Sequence, residues 1–166
     1  PQYFSRKTCV TRHGGLTLKD IDKETQIPVL LSICSEQLFE GQEPDHIELI
    51  TEGTLELLPD GLRFFYQETE LTGMEGTTTS FQLCGPQVIL SRTGAVNSQM
   101  VFEEGRQHTS LYETPFGELA VDVQTSRLRH NLTERGGLLD LRYSIAIEHA
   151  AMGRNAFKIR IQPRRS

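Results

Sequence analysis

From Pro28 to Pro163 apolar residues recur at every second position, in run after run separated by turn residues. No segment carries a convincing 3.6-residue period, so this alternation decides the fold class: half-buried β-strands rather than helices. Ile47, Leu49, Thr51, Gly53, Leu55 and Leu57 share one face of a strand, and His46, Glu48, Ile50, Glu52, Thr54 and Glu56 share the other. Pro59-Asp60-Gly61 ends that run with a turn, since proline fixes φ and glycine permits φ above zero. Leu62, Phe64, Tyr66 and Glu68 make one face of the next strand; Gly73 and Gly76 bracket a hairpin, Gly85-Pro86 another, and Pro115-Phe116-Gly117 a third. Leu119, Val121 and Val123 are in phase, whereas Leu128, His130 and Leu132 have the opposite parity, which places a β-bulge near Thr125–Arg127. Gly136-Gly137 leads into the run Leu139–Ile147, and Gly153 into Phe157, Ile159 and Ile161.

Short connections force antiparallel neighbours, because a parallel pair needs a crossover of a dozen or more residues. A meander of about ten strands rarely stays open. The expectation is an all-β, closed antiparallel up-and-down barrel of eight to ten strands spanning residues 28–166. A Greek-key sandwich is the alternative, and the sequence offers no long crossover loop for it. Residues 1–27 are polar and lack the alternation; they read as a partly flexible extension.

Charge is distributed unevenly. The chain is net −5 with a pI near 5.6, which argues against a dedicated nucleic-acid binder. Glu36 to Glu75 carries eleven acids and one base, and Arg127 to Ser166 nine bases and three acids. If the first and last strands close the barrel side by side, the two segments complement each other; a patch for an anionic partner is the other reading. No apolar stretch is long enough to span a membrane as a helix. Cys9, Cys34 and Cys84 are odd in number and lack CxxC spacing, so reduced thiols, no zinc site and a cytoplasmic location are expected, with Cys34 and Cys84 as small buried hydrophobes.

Two stretches are too idiosyncratic for generic strands: Glu68-Thr-Glu-Leu-Thr-Gly-Met-Glu-Gly-Thr-Thr-Thr79, and Arg92-Thr-Gly94 with Asn97-Ser-Gln-Met-Val-Phe-Glu-Glu-Gly105 and His108-Thr-Ser-Leu-Tyr-Glu-Thr-Pro-Phe-Gly117. Over residues 28–162 the chain resembles the bacterial YwiB-like family, a domain of unknown function. The resemblance implies a calycin-type, lipocalin-like closed barrel in a cytoplasmic bacterial protein, and no established activity.

Candidate catalytic sets are weak. Ser110, His108 and Glu113 lie on one strand, whereas a nucleophile, base and orienting acid must converge, usually from separate elements. Glu103-Glu104, Glu68, Glu70 and Glu75 sit in and beside hairpins, where carboxylates are ordinarily solvated. The five histidines show no HxH or HExxH spacing. No catalytic residue, metal or cofactor is assigned, and the chain is not read as an enzyme. More telling are polar residues that interrupt apolar faces. Tyr66, Glu68, Arg92, Met100, His108, Ser110 and Tyr112 combine aromatic area with a few polar groups, as small-ligand sites do. Tyr66, Glu68 and Tyr112 are expected to converge at one end of the barrel, with Arg92 and His108 near its rim. The functional expectation is a barrel that binds a small, partly apolar or amphipathic ligand in its mouth. The alternative is a plugged barrel that serves as an interaction or self-association module, for instance a homodimer.

Overall fold

The computed structural model describes residues 26–164. Of the expected extension, only Gln26 and Ile27 fall within them, and both already belong to the first strand. Ten strands follow in order: β1 (Gln26–Phe39), β2 (Asp45–Leu58), β3 (Gly61–Gln67), β4 (Thr77–Cys84), β5 (Gln87–Gly94), β6 (Ser98–Glu103), β7 (Gln107–Thr114), β8 (Gly117–His130), β9 (Gly137–Ile147) and β10 (Ala150–Pro163). A single 3₁₀ turn, Glu70–Thr72, interrupts the β3–β4 connection.

The sheet order is β6-β5-β4-β3-β2-β1-β10-β9-β8-β7, antiparallel throughout. Consecutive strands pair with each other except β6 and β7, and β1 pairs with β10 from Val29↔Pro163 to Phe39↔Gly153. The two remaining edges belong to consecutive strands, β6 and β7, and no ladder joins them among the described residues. The result is a nearly closed barrel whose seam lies at one hairpin. That seam is pinned at its turn, where the Gly105 amide donates to the Thr125 carbonyl (2.9 Å) and the Thr125 amide to the Arg106 carbonyl (3.1 Å). β8 bulges beside Thr125, on its β9 edge. Its register to β9 shifts between Thr125 and Arg127, where the change of parity in the sequence placed the bulge.

The alternating residues fill the interior. Val29, Leu31, Leu55, Phe64, Phe81, Phe102, Leu141 and Ile159 are fully buried within one continuous core. An aromatic chain crosses it. Phe64 stacks on Phe81 at 5.0 Å between ring centroids, Phe81 meets Phe157 at 6.3 Å, Phe157 stacks on Tyr143 at 6.3 Å, and Tyr143 touches Phe102 at 4.6 Å. Such pairs contribute about 0.5–1.5 kcal/mol each beyond area burial. Gly53 faces this core because nothing larger fits; a Cβ there would lie 2.7 Å from the Phe65 carbonyl oxygen and 2.8 Å from Leu31 Cδ1.

Three expectations need correction. First, the acidic and basic segments meet only in part. β1 pairs with β10 as expected, but of its outer residues Leu30, Ser32, Cys34 and Glu36 only Glu36 is acidic, and the acids of β2 stand one strand further away, about 10 Å from β10. Arg164 bridges the gap to Glu52 at 2.7 Å. Second, Cys84 is disulfide-bonded, whereas Cys34 is a free thiol. Both are half-buried rather than core residues, because their parity turns them away from Leu83 and Ile33. Third, Gly153 does not begin the last strand. It sits at a β10 irregularity, packed so closely that a Cβ would meet the Phe39 ring at 2.9 Å. The β9–β10 turn is Glu148-His149, both with positive φ (49° and 65°).

Candidate functional site

The β3–β4 and β5–β6 connections meet at one end of the barrel. The Glu68 amide donates to the Thr77 carbonyl (2.8 Å), the Ala95 amide to the Gly76 carbonyl (3.2 Å) and the Val96 amide to Thr77 Oγ1 (3.2 Å). Beneath these loops Gly53, Tyr66, Thr79, Arg92 and Ser98 are successive ladder partners across five strands. The antiparallel register puts all five on the same inward face, so one polar row lines the end of an otherwise apolar interior.

Glu68 is the centre of this row's chemistry. It is 5 % exposed, and a carboxyl taken that far out of water needs partners. Thr79 Oγ1 donates to Glu68 Oε1 at 2.6 Å and Thr72 Oγ1 to Glu68 Oε2 at 2.8 Å. The 3₁₀ turn exists to serve this contact: it places Thr72 four residues after the carboxyl it caps. The Tyr66 hydroxyl also lies against Glu68. Burial holds that hydroxyl far above the usual phenol range, the Glu68 charge adds to the effect, and Arg92 opposes it. Burial likewise raises Tyr143, with Arg92 again opposing and Tyr112 reinforcing. Arg92 therefore acts on two buried phenols from different sides of the barrel. Its Nε is enclosed and has no hydrogen-bond partner among the described residues.

The structure thus brings together Tyr66, Glu68 and Arg92, and reaches Tyr112 through Tyr143. Met100 is buried in the core beside this row, as the ladder partner of Leu90. Ser110 shares the inward face of β7 with Tyr112, opposite Val121. His108 departs from the expected rim position. It lies at the other end of the seam, its Nε2 3.5 Å from Glu103 Oε2 without hydrogen-bond geometry. Sequence reasoning missed Thr72, Thr79 and Tyr143. The parity of Thr79 and Tyr143 within their strands was a usable signal; Thr72, inside a loop, had none.

A second constellation lies beside the β9–β10 turn. Asp122, only 7 % exposed, accepts a hydrogen bond from Thr109 Oγ1 (2.6 Å) and pairs with His149 Nδ1 (2.8 Å). The Thr109 hydrogen bond, resisted by burial and helped by His149, lowers the Asp122 carboxyl below its usual range. A groove of about 750 Å³ opens here, lined by Gln107, Asp122, Gln124, His149 and Arg154 among others. It includes none of the seven residues singled out in the sequence.

Fold and site together define a nearly closed, ten-stranded antiparallel barrel with a satisfied carboxyl at one inner end, beside an arginine whose Nε has no hydrogen-bond partner among the described residues. The chain belongs to the family described as a domain of unknown function (DUF1934), which matches residues 31–159. Its fold is similar to that in the crystal structure of the ywiB protein from Bacillus subtilis, with a TM-score of 0.73, 20 % identity, and coverage of 85 % of this chain and 94 % of that one. No curated protein matches the chain. Among the described residues no helix is long and apolar enough to cross a membrane.

Proposed function

We propose that the barrel binds a small amphipathic acid, with its anionic group against Arg92 and its apolar part towards Met100, Tyr112 and Tyr143. The observation that carries this reading is the enclosed, unpartnered Nε of Arg92. A guanidinium offers five donors in a fixed fork suited to carboxylate or phosphate. Leaving one of those donors enclosed and unbonded costs about 1–3 kcal/mol, a cost that an incoming anion relieves. Glu68 is engaged elsewhere, its carboxylate accepting from Thr72 and Thr79.

The test is a thermal-shift screen of short and medium-chain carboxylic acids against the matching amines and alcohols. Acids at a hundred times their dissociation constant stabilise by about 2.7 kcal/mol; amines and alcohols do not, and Arg92→Met loses the effect. Stabilisation by no acid, or equal stabilisation of Arg92→Met, overturns the reading. A plugged barrel acting as an interaction module then takes precedence, and the aromatic chain filling the centre of the barrel is the observation in its favour.

A further inference from the structure

The outer face of the β1–β2 hairpin carries a different chemistry. Register sets Cys34 opposite Glu48 and Glu36 opposite His46, so four side chains with metal-relevant donors occupy one square of the ladder. Cys34 Sγ, His46 Nε2 and a Glu48 carboxylate oxygen all lie within 4.8 Å of one another. His46 Nε2 is 4.0 Å from Cys34 Sγ and 3.1 Å from Glu48 Oε1. Around a tetrahedral zinc ion, bond lengths of about 2.3 Å to sulfur and about 2.0–2.1 Å to nitrogen and oxygen put those donor pairs about 3.6 Å and about 3.3 Å apart. These two separations need adjustments of a few tenths of an ångström, and the third, between the thiol and the Glu48 carboxylate, starts within 4.8 Å.

A second feature points the same way. The other ring nitrogen, His46 Nδ1, is 3.6 Å from Glu36 Oε1. A histidine ligand commonly gives its non-ligating N–H to a carboxylate, which fixes the tautomer and aims the ligating nitrogen. Here Glu36 stands on the side of the ring away from Cys34 and Glu48, where that partner is required. A plain surface ion pair explains His46 between two glutamates but not the free thiol at the third corner. A thiolate, an imidazole and a carboxylate neutralise a divalent cation, and sulfur with nitrogen selects a borderline-soft one over magnesium or calcium.

We propose that Cys34, His46 and Glu48 bind a divalent cation of the zinc class, with Glu36 as a positioning residue and a fourth position open to solvent. Such a site is independent of Arg92 and of the barrel interior. The experiment titrates the intact protein, without added reductant, with Co²⁺ and then Zn²⁺. One equivalent of Co²⁺ should give tetrahedral d–d bands and a thiolate-to-cobalt charge-transfer band, both displaced by Zn²⁺. Cys34→Ser removes the charge-transfer band, His46→Ala and Glu48→Ala each weaken binding at least about tenfold, and Glu36→Gln weakens it about 10–100-fold. Zinc should also slow alkylation of Cys34 in the unaltered protein at least about tenfold, which tests the site without a variant having to fold. A charge-transfer band that survives Cys34→Ser overturns the proposal. So does affinity unchanged in His46→Ala with native circular dichroism, or alkylation of Cys34 indifferent to zinc.

Discussion

Glu68 is the residue whose environment is most demanding, and its substitution is the most informative. Gln keeps the shape but replaces one carboxylate oxygen with an amide that donates, where Thr72 and Thr79 both donate now. The hydroxyls can rotate to accept, so the loss is that of charge-assisted bonds, about 1.5–3 kcal/mol. Glu68→Gln should therefore lower stability by about that much while leaving binding of an acid at Arg92 intact, as measured by denaturant midpoint and thermal shift. A neutral Glu68→Gln would mean that the hydroxyl network carries no stability. The inward parity of Tyr66 and Glu68 was legible in the sequence because both continue the Leu62–Phe64 face. What satisfies Glu68 was not, since Thr72 sits in a loop without periodicity and Thr79 reaches it only through the β3–β4 register. Cys34, His46 and Glu48 were invisible as a set for the same reason: 12 and 14 residues separate the thiol from its neighbours in sequence, and only the β1–β2 register brings them together.

Among the elements, the β8 bulge and the β9–β10 turn mark opposite limits of sequence reading. A bulge flips side-chain parity, so the shift between Val123 and Leu128 showed in the hydrophobic pattern. A tight turn with two positive φ angles normally advertises itself as Asn-Gly or Asp-Gly; Glu148-His149 does not, and Gly153 drew attention away from it. Two non-glycine residues in that conformation cost about 1–2 kcal/mol each. Tertiary bonds offset the cost. The Glu148 carboxylate accepts from the Ala120 amide at 2.8 Å, the Glu148 amide donates to the Ala120 carbonyl at 2.9 Å, and His149 pairs with Asp122. Asp122 has its carboxyl lowered from an ordinary value of 3.8, so it favours the folded state above that pH and ceases to as pH falls through its lower folded value. Asp122→Asn should then be destabilising at pH 7, and the gap to the unaltered protein should close as pH falls below 3.8 and through the lower folded value. Thermal unfolding of both proteins across pH 2–7 measures this, and a gap independent of pH would assign the effect to packing at the turn instead.

At the scale of the whole molecule, the alternation and short turns were sufficient to reach an antiparallel barrel of eight to ten strands, but the open seam was not legible. It is set by which pair of neighbours fails to form a ladder, and the β6–β7 turn at Glu104-Gly105 reads like any other hairpin. The consequence is a barrel that closes where its described chain ends meet, β1 on β10, and parts in mid-sequence. Circular permutation exposes this directly. A linker joining the end of β10 to the start of β1 has a short gap to span, since the Arg164 amide donates to the Pro28 carbonyl at 2.8 Å. Opening that circle between Gly105 and Arg106 severs no ladder hairpin; the strands then run in sheet order from β7 to β6. Opening it between Asp60 and Gly61 instead breaks the β2–β3 hairpin, whose pairing from Gly53↔Tyr66 to Leu58↔Gly61 must then form by long-range closure. Both permutants share the same linker, so their difference reports the opened position alone. The permutant opened at the seam should be the more stable, with a melting temperature higher by about 2–4 °C for each kcal/mol retained. It should also lose protection from amide exchange chiefly at Thr125, whose bonds to Gly105 and Arg106 depend on an intact turn. A seam permutant less stable than the one opened at Asp60 would show that the β6–β7 turn, rather than the ladders, holds the barrel shut.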